Sequence, residues 1–475
     1  MDRRAFLALP FSAAAAPATR IQDRGYYFTF CRMPTLGYET WKRIFDGIAL
    51  DGGNLVLLWI AGGFRSKKFP ITWDYNREHK NVQQDFVRDL IDYAHTRGIR
   101  VLLGFTPFSY DGVNQYSLLR PDLKATQKNG MLARRAGIHC WGYALNPARD
   151  DAQRFMLDYI RELIFDFYPN ADGLLIESSD YDICQGGDCA GRYYDLEFRF
   201  TRQISEEVWV RNKRAMIVVY PHYFSGAAVP GFSVTAARQP FDDRWTLFFT
   251  PHSAHLDSSL VRRAKTSLFW DSNVAMGSPL AVREGTRKAK AAGVTGYVSS
   301  MESFSFVPAY PEGGERRLVG RRLKPFGWDW LADGANPYEE PLAQVNRVAF
   351  QLYSREPDAP DAQFRQALGE RVFGKREAPV DDLLFLHDCL YDGRTWWSAS
   401  PLYHPAIFGE RLEMGRLSFE QLHKFDERLR ALPAVAKRLS ASRHAASRNL
   451  ASVANRIVGA WDDGSVRLLR DHLRR

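Results

Sequence analysis

The sequence predicts an α/β fold, namely a parallel (β/α)8 TIM barrel followed by an α-helical C-terminal region. Short apolar runs alternate with amphipathic helices as far as Ser300, and eight of these runs have the pattern of strands. From about Asn336 onward no convincing strand pattern is present. A doubly wound open sheet is the alternative, but no glycine-rich phosphate-binding fingerprint follows the first strand.

The first half of the barrel is predicted to contain four strands. The second of them is a continuous apolar run, as expected for a parallel strand that is buried on both faces. The strands are predicted at residues 25–32, 54–61, 99–105 and 173–177, with helices at 38–50, 83–97 and 150–167. The connection from Thr106 to Asn146 is too long for a simple loop, which predicts a functional segment or one with small elements of its own.

The second half of the barrel is predicted to contain the other four strands. They are expected at residues 215–220, 245–250, 266–270 and 295–300, with helices at 193–212, 258–264 and 278–292. A helix at 341–353 is predicted to close the barrel, and further helices are predicted at 361–373, 381–391, 418–431 and 434–473. The predicted domains are therefore a barrel at residues 23–354 and a helical region at residues 355–475.

Composition and charge restrict the class of protein. Of 475 residues, 45% are hydrophobic and 25% charged, which excludes a disordered chain and a small disulfide scaffold. No apolar run reaches the roughly 20 residues of a membrane-spanning helix, so no membrane span is expected. The net charge is +9, and residues 428–475, with 11 Lys and Arg against 3 Asp and Glu, supply 8 of these charges. The body is nearly neutral, so no nucleic-acid partner is expected, and the basic tail is interpreted as a solvated helical face or, alternatively, as a site for an acidic partner or an anionic surface.

The N-terminus has the order of zones that is typical of an export signal. Arg3 and Arg4 precede a short apolar run and then an alanine-rich stretch that ends at Ala18. The arginine pair resembles the twin-arginine type of signal. Residues 1–22 are therefore predicted to be a signal peptide of a bacterial protein that is periplasmic or secreted, and a ragged amphipathic N-terminus is the alternative.

Carboxylates follow three of the predicted strands at the end where barrel enzymes have their active sites. Glu177 ends the fourth strand, Asp271 follows the seventh, and Glu302 follows the eighth. Cleavage of a glycosidic bond needs one carboxylic acid that protonates the leaving oxygen and one carboxylate that acts as base or nucleophile. These three residues are the candidate catalytic groups, although a carboxylate in this position is also often a helix cap or an ion-pair partner.

Polar and aromatic side chains at the same strand ends are candidate substrate-binding residues. Tryptophan faces bind the apolar faces of sugar rings, and arginine can bind a uronate carboxylate through two hydrogen bonds. The aromatic residues also have an alternative role as ordinary core. The candidates are Arg32, Trp59, Asp180, Tyr181, His222, His252 and Trp270, with Arg65, Trp328 and Trp330 as further possible contacts.

Two cysteines lie in the loop after the fourth strand. Cys184 and Cys189 are separated by four residues, whereas zinc sites usually have a C-x2-C pair and further ligands nearby. No metal and no other cofactor is therefore expected. The pair is interpreted as a disulfide that fixes the loop, and two free thiols are the alternative.

Several sequence blocks resemble those of a known group of enzymes. They are 120–125, 129–130, 144–147 and 172–177, together with Ser179-Asp180-Tyr181 in the cysteine-containing loop and the stretches 349–357 and 371–374 after the barrel. In these blocks the chain resembles bacterial exported TIM-barrel glycoside hydrolases, in the neighbourhood of the α-glucuronidases and β-hexosaminidases. The resemblance implies a carbohydrate substrate, Glu177 as the acid, Asp271 and Glu302 as base candidates, and inversion at the anomeric carbon.

One departure from that group bears on the substrate. Hexosaminidases have an Asp-Glu pair at the end of the fourth strand, whereas this chain has Glu177-Ser178, which argues against substrate-assisted cleavage of N-acetyl sugars. The leading hypothesis is an exported glycoside hydrolase, and the alternative is a non-catalytic carbohydrate-binding barrel. A metal-dependent amidohydrolase ranks last, because it would have His-x-His near the first strand, where this chain has Arg32-Met33.

Overall fold

The structure is a computed structural model, and it describes most of the chain between residues 21 and 474. The described residues are 21–29, 36–74, 80–110, 112–133, 142–179, 183–220, 242–250, 261, 264–301, 306–308, 320–322, 339–375, 378–392, 400–403 and 405–474. The predicted signal peptide lies outside them apart from Ile21 and Gln22. In these ranges no helix combines the length and the apolar composition needed to cross a membrane.

Eight parallel strands form a closed barrel, as the sequence predicts. Each strand pairs with the next along the chain, and β8 pairs with β1, which excludes the open doubly wound sheet. Gly25 in β1 is opposite Leu55 in β2, and a Cβ at this glycine would lie only 1.7 Å from the Leu55 carbonyl oxygen. The strands are β1 Asp23–Thr29, β2 Leu55–Trp59, β3 Arg100–Phe105, β4 Gly173–Glu177, β5 Met216–Tyr220, β6 Trp245–Phe249, β7 Thr266–Asp271 and β8 Gly296–Ser300.

Helices follow the strands and cover the barrel. In the barrel half these are α1 Tyr38–Leu50, α2 Ile71–Asp74, α3 Lys80–Gln84, α4 Val87–Thr96, α5 Val113–Leu119, α6 Asp150–Arg161 with a π-helical continuation at Glu162–Phe167, α7 Tyr193–Arg211, α8 Asn273–Met276 and α9 Pro279–Ala292. A short antiparallel pair, β9 Phe306–Pro308 and β10 Gly320–Arg322, follows the barrel strands. The single helix predicted at 83–97 is interrupted before Val87, where Asp85 has a φ of 44°.

The long connection after β3 contains the small elements that its length predicts. It holds α5, a 3-10 turn at Pro121–Leu123, and two isolated bridges, Lys124 with Leu145 and Thr126 with Leu132. The helix predicted at 258–264 lies outside the described residues except for Val261 and Ala264.

The C-terminal region contains helices and no strand in its described part. Its helices, together with the one that follows the barrel, are α10 Pro341–Tyr353, α11 Asp361–Phe373, α12 Val380–Tyr391, α13 Pro405–Glu413, α14 Phe419–Ser440, α15 Ala445–Ala460 and α16 Asp463–Leu473. The predicted break near residue 432 is wrong, because α14 continues through Pro433. New helices begin instead after His444 and Asp462, whose side chains accept hydrogen bonds from backbone N–H groups of α15 and α16.

Several basic residues of the tail form ion pairs with carboxylates of the same region. Arg438 pairs with Asp382 of α12 at 2.6 Å, and Arg428 pairs with Asp392 at 2.7 Å. Arg470 of α16 reaches Asp426 of α14 at 3.1 Å. Part of the positive charge that the sequence concentrates here therefore joins the C-terminal helices to one another.

Candidate functional site

The interior of the barrel at the carboxyl ends of its strands holds one of the predicted carboxylates. Oε2 of Glu177, the last residue of β4, accepts a hydrogen bond from the hydroxyl of Tyr27 in β1 at 3.0 Å. Since β1 and β4 are not neighbours in the barrel, this bond crosses its interior. Glu177 is half-buried, and among the interior-facing residues described at this end of the strands it is the sole carboxylate. The structure thus places Glu177 where the sequence predicts a catalytic group.

Four aromatic side chains from four strands lie beside this carboxylate. The ring of Trp270 in β7 lies 5.9 Å from that of Tyr27, 6.2 Å from that of Tyr220 in β5 and 5.7 Å from that of Phe248 in β6. We call Tyr27, Tyr220, Phe248 and Trp270 the aromatic floor. Trp270 is its half-buried member, and the other three are buried. The indole Nε1 of Trp270 has no hydrogen-bond partner among the described residues. Tyr27 therefore contacts both Glu177 and the predicted substrate-binding residue Trp270.

Trp59 lies deeper in the same interior than the sequence analysis expects. It is 2% exposed and contacts Tyr110 edge-on, with 5.9 Å between the rings. Gly104 of β3 leaves space for it, since a Cβ there would lie 2.9 Å from the Trp59 ring. Such burial leaves almost no indole face for a sugar, so Trp59 belongs to the hydrophobic core. This is the alternative role that the sequence also allowed for it.

Asp271 faces the helices and not the barrel interior. Its carboxylate accepts hydrogen bonds from the hydroxyls of Tyr297 at 2.6 Å and Ser299 at 2.9 Å, and from the backbone and side chain of Asn273. Gly285 of α9 makes room for it, because a Cβ there would lie 2.6 Å from Asp271 Oδ2. Burial raises the pKa of Asp271 to about 6, although these hydrogen bonds lower it.

The alternation of side chains along β7 explains this placement. Trp270 points into the barrel and contacts strands that are not its neighbours, so the next residue, Asp271, points outward. The structure therefore separates Asp271 from Glu177 by the wall of the barrel. The expectation that Asp271 is a catalytic base is corrected accordingly, and its hydrogen bonds join the end of β7 to β8 and to the start of α8.

A second buried acid lies behind Glu177, on the outer side of β4. The hydroxyl of Ser178 donates to Oε2 of Glu197 in α7 at 2.5 Å. Glu197 is 1% exposed, and its Oε1 has no hydrogen-bond partner among the described residues. Burial raises the pKa of Glu197 to about 8, and the Ser178 hydrogen bond opposes this shift. At neutral pH Glu197 is therefore a neutral acid that ties the residue after Glu177 to α7.

The loop after β4 is closed by a disulfide between Cys184 and Cys189, as the sequence analysis predicts. Both cysteines are buried in a small apolar cluster of their own with Ile183 and Tyr193. The N–H groups of Gln185 and Gly186 both donate to the Thr126 carbonyl at 2.8 Å. These backbone hydrogen bonds hold the disulfide-closed loop against the long connection that follows β3.

Tyr27 and Glu197 are functional candidates that the sequence analysis missed. For Tyr27 the available signal was its position in β1 between Tyr26 and Phe28, because side chains alternate along a strand and Tyr27 faces the interior when these two neighbours face outward. For Glu197 the signal was a carboxylate directly between the apolar residues Leu196 and Phe198. Neither signal reveals which distant carboxylate or hydroxyl the side chain meets.

Several predicted site residues lie outside the described residues. They are Arg32, Asp180, Tyr181, His222, His252 and Glu302, as well as Trp328 and Trp330. Arg65 is described, and its exposed guanidinium lies 5.5 Å from the centre of the Trp73 ring. In the described ranges, no three or more His, Cys, Asp or Glu side chains are grouped so as to share a metal ion.

Comparison with known proteins gives matches in structure alone. No family model matches the chain, and no curated protein matches it. The GH20 chitobiase of Flavobacterium johnsoniae superposes with a TM-score of 0.51 at 12% identity, over 96% of this chain and 75% of the chitobiase. A GH138 enzyme that targets pectin rhamnogalacturonan II superposes with a TM-score of 0.55 at 12% identity. That match covers 93% of this chain and 56% of the enzyme, so this chain spans little more than half of its length.

At these identities the likeness concerns the fold. The predicted resemblance to TIM-barrel glycoside hydrolases, with a hexosaminidase-family member among them, is confirmed at that level. The chain therefore has the barrel architecture that these glycoside hydrolases share.

Proposed function

We propose that this protein is a glycoside hydrolase and that Glu177 is its general acid. The observation that carries the proposal is the position of Glu177, inside the barrel at the carboxyl ends of the strands and beside the aromatic floor. A carboxyl group next to aromatic faces can bind a sugar ring and protonate the oxygen that leaves it. The glycoside hydrolases with the same fold support this reading.

The proposed reaction needs a second carboxylate, and Glu302 is our candidate. In the inverting form, Glu177 gives its proton to the glycosidic oxygen while the second carboxylate takes a proton from the attacking water. The C1–O bond to the leaving group breaks as the bond from the water oxygen to C1 forms. With Asp271 on the outer side of the barrel, Glu302 is the remaining candidate base among the three predicted carboxylates.

The chain's own residues supply positioning around this step. Tyr27 donates a hydrogen bond to Glu177 and so fixes the direction of the carboxyl group. Trp270 offers the half-buried ring on which the apolar face of a sugar could stack. Further contacts to the sugar hydroxyls are proposed for Arg32, Asp180, Tyr181, His222 and His252.

Hydrolysis of a panel of aryl glycosides and plant-derived oligosaccharides tests the proposal. Glu177→Gln keeps the size of the side chain but has no acidic proton, so we expect kcat to fall by about 100-fold or more. Glu206→Gln on the exposed side of α7 is the matched control and should turn over normally. Equal activity of the two variants would remove Glu177 from the mechanism.

A carbohydrate-binding barrel without catalysis is the second candidate. It is favoured by the presence of a single carboxylate on the described part of the interior surface at this end. Calorimetric binding of an oligosaccharide, without hydrolysis of any panel member, would support this candidate. In that case Trp270→Ala should weaken binding while Glu177→Gln changes it little.

We also propose that the protein is exported to the periplasm or secreted through its twin-arginine-type N-terminus. The support is the sequence pattern of residues 1–22. Fractionation of cells that express the chain, beside a variant with both Arg3 and Arg4 changed to Lys, tests it. Retention of the variant and export of the parent are expected, and equal distribution of both would contradict the proposal.

A further inference from the structure

Glu197 is a buried acid of α7 that the proposed reaction at Glu177 does not use. Its Oε2 accepts a hydrogen bond from the Ser178 hydroxyl at 2.5 Å, and its Oε1 meets no hydrogen-bonding group in the described part of the chain. A carboxyl group that is removed from water and satisfied on one oxygen only costs folding free energy. Stability alone therefore does not explain an acid at this position.

Ser178, the partner of Glu197, is anchored in two directions. Its backbone N–H donates to the carbonyl oxygen of Tyr220 in β5 at 2.9 Å, within the plane of the sheet. Its hydroxyl donates outward to Glu197, across the layer between the sheet and α7. One hydrogen bond would leave the chain free to rotate about it, whereas two bonds in different directions fix both its position and its orientation.

The residue fixed in this way directly follows Glu177. In the register of β4 and β5, Glu177 is opposite Tyr220, and its carboxylate accepts the hydrogen bond from Tyr27 inside the barrel at 3.0 Å. Side chains of consecutive residues in an extended chain point to opposite faces. The outward hydroxyl of Ser178 and the inward carboxyl group of Glu177 therefore belong to one pleat, and a rotation of Ser178 turns the Glu177 carboxyl group away from Tyr27.

We infer that Glu197 is a positioning residue for Glu177. Through Ser178 it fixes the end of β4, and with it the direction in which the Glu177 carboxyl group enters the barrel. For its effect on catalysis the inference rests on the proposed function, because a misdirected acid protonates the glycosidic oxygen slowly. Glu197 itself lies behind the wall of the barrel and does not touch the substrate.

Replacing both partners of the hydrogen bond tests this inference. Ser178→Ala combined with Glu197→Met removes donor and acceptor together, and methionine is an unbranched side chain of similar length. We therefore expect a melting temperature close to that of the parent. On an aryl glycoside that the parent hydrolyses, kcat should fall at least tenfold while KM changes less than twofold, because the aromatic floor stays in place. A kcat equal to that of the parent overturns the inference.

Single variants test the same bond from each side. Ser178→Ala alone breaks it and should lower kcat as much as the double variant does. Glu197→Gln keeps a side-chain oxygen that accepts from Ser178, so it should retain at least half of the parent kcat. A Glu197→Gln variant as slow as the double variant would show that the hydrogen bond is not what matters, and would overturn the inference.

Ser205→Ala is the matched control for packing of α7. Ser205 is a fully buried serine of the same helix, and it accepts a hydrogen bond from the indole of Trp245 at 3.0 Å. Trp245 begins β6, so this bond lies toward the opposite end of the barrel from Glu177. Its loss should lower the melting temperature and leave kcat unchanged. A fall in kcat as large as that of the double variant would assign the effect to helix packing and overturn the inference.

A structural measurement separates this inference from the proposed function. If the parent hydrolyses no glycoside, the proposed reaction fails, yet the direction of Glu177 can still be measured. Crystal structures of the parent and the double variant should show the Tyr27 hydroxyl within hydrogen-bonding distance of Glu177 in the parent and beyond about 3.5 Å in the variant. The same hydrogen bond in both proteins overturns the inference, whether or not the parent is active.

Discussion

Replacing Glu197 by Gln removes a titratable proton from the helix layer behind Glu177 without changing the size of the side chain. Glu197 is fully buried, and its one described hydrogen bond comes from Ser178. Burial raises the pKa of this carboxyl to about 8, against an ordinary value of 4.5. Between about pH 4.5 and pH 8, Glu197 therefore keeps its proton in the folded state, whereas in the unfolded chain it has lost that proton.

The sign and size of the effect follow from proton linkage. Between about pH 4.5 and pH 8 the folded chain binds one proton more than the unfolded chain, so the free energy of unfolding falls as pH rises. The slope is about 1.4 kcal/mol per pH unit near pH 6 and falls to about half of that at pH 8, where Glu197 has lost half of its proton, which gives about 2 kcal/mol between pH 6 and pH 8. For a chain of 475 residues this corresponds to a melting temperature lower by about 2 °C.

Thermal unfolding of both proteins from pH 5 to pH 8 is the assay. We expect the melting temperatures of the parent and Glu197→Gln to agree near pH 5 and the variant to melt higher by pH 8. Asp271, with a pKa of about 6, also titrates within this range, but it is present in both proteins, so its contribution cancels in the comparison. Glu206→Gln, an exposed substitution on the same helix, should follow the parent. A parent and a Glu197→Gln variant with the same pH dependence above pH 6 would refute the reasoning.

Three further predictions concern the barrel site. Tyr27→Phe loses the 3.0 Å bond to Glu177, worth about 1.5 kcal/mol, so kcat on an aryl glycoside should fall about tenfold; an unchanged kcat contradicts this. Trp270→Ala removes the half-buried ring of the aromatic floor and should raise KM about tenfold, with unaltered KM as the opposing result. The asparagine in Asp271→Asn cannot accept all four described hydrogen bonds, so denaturant unfolding should show a free energy of unfolding lower by about 2–3 kcal/mol, while kcat stays near the parent value. A collapse of kcat in the folded variant would return Asp271 to the mechanism.

The order of strands and helices could be predicted from the sequence because each buried parallel strand is a distinct apolar run. Glu177 could be predicted for the same reason, since the apolar run of β4 ends on it. Asp271 ends a similar run, yet one step in the alternation of β7 turns it to the opposite face. Which face a strand residue occupies depends on pairing with distant strands, and a single strand sequence does not record that pairing.

Helix ends in the C-terminal region illustrate a second limit of prediction from sequence. Pro433 is a residue that ordinarily interrupts a helix, yet α14 runs through it because tertiary packing outweighs local preference. Glu197 was missed because its importance comes from Ser178, a residue on another element.

The sharing of Asp51 between two arginines has a consequence for how the chain folds. Asp51 lies at the end of α1, and its partners Arg347 and Arg371 follow it by 296 and 320 residues. During synthesis this carboxylate is made long before either guanidinium exists, so its two ion pairs can form only after α11 has been synthesised, whereas its hydrogen bond from Tyr26 needs no later residue. A chain that ended after Tyr353 would retain Arg347 but lose Arg371, so the end of α1 would keep one of its two ion pairs with the later helices.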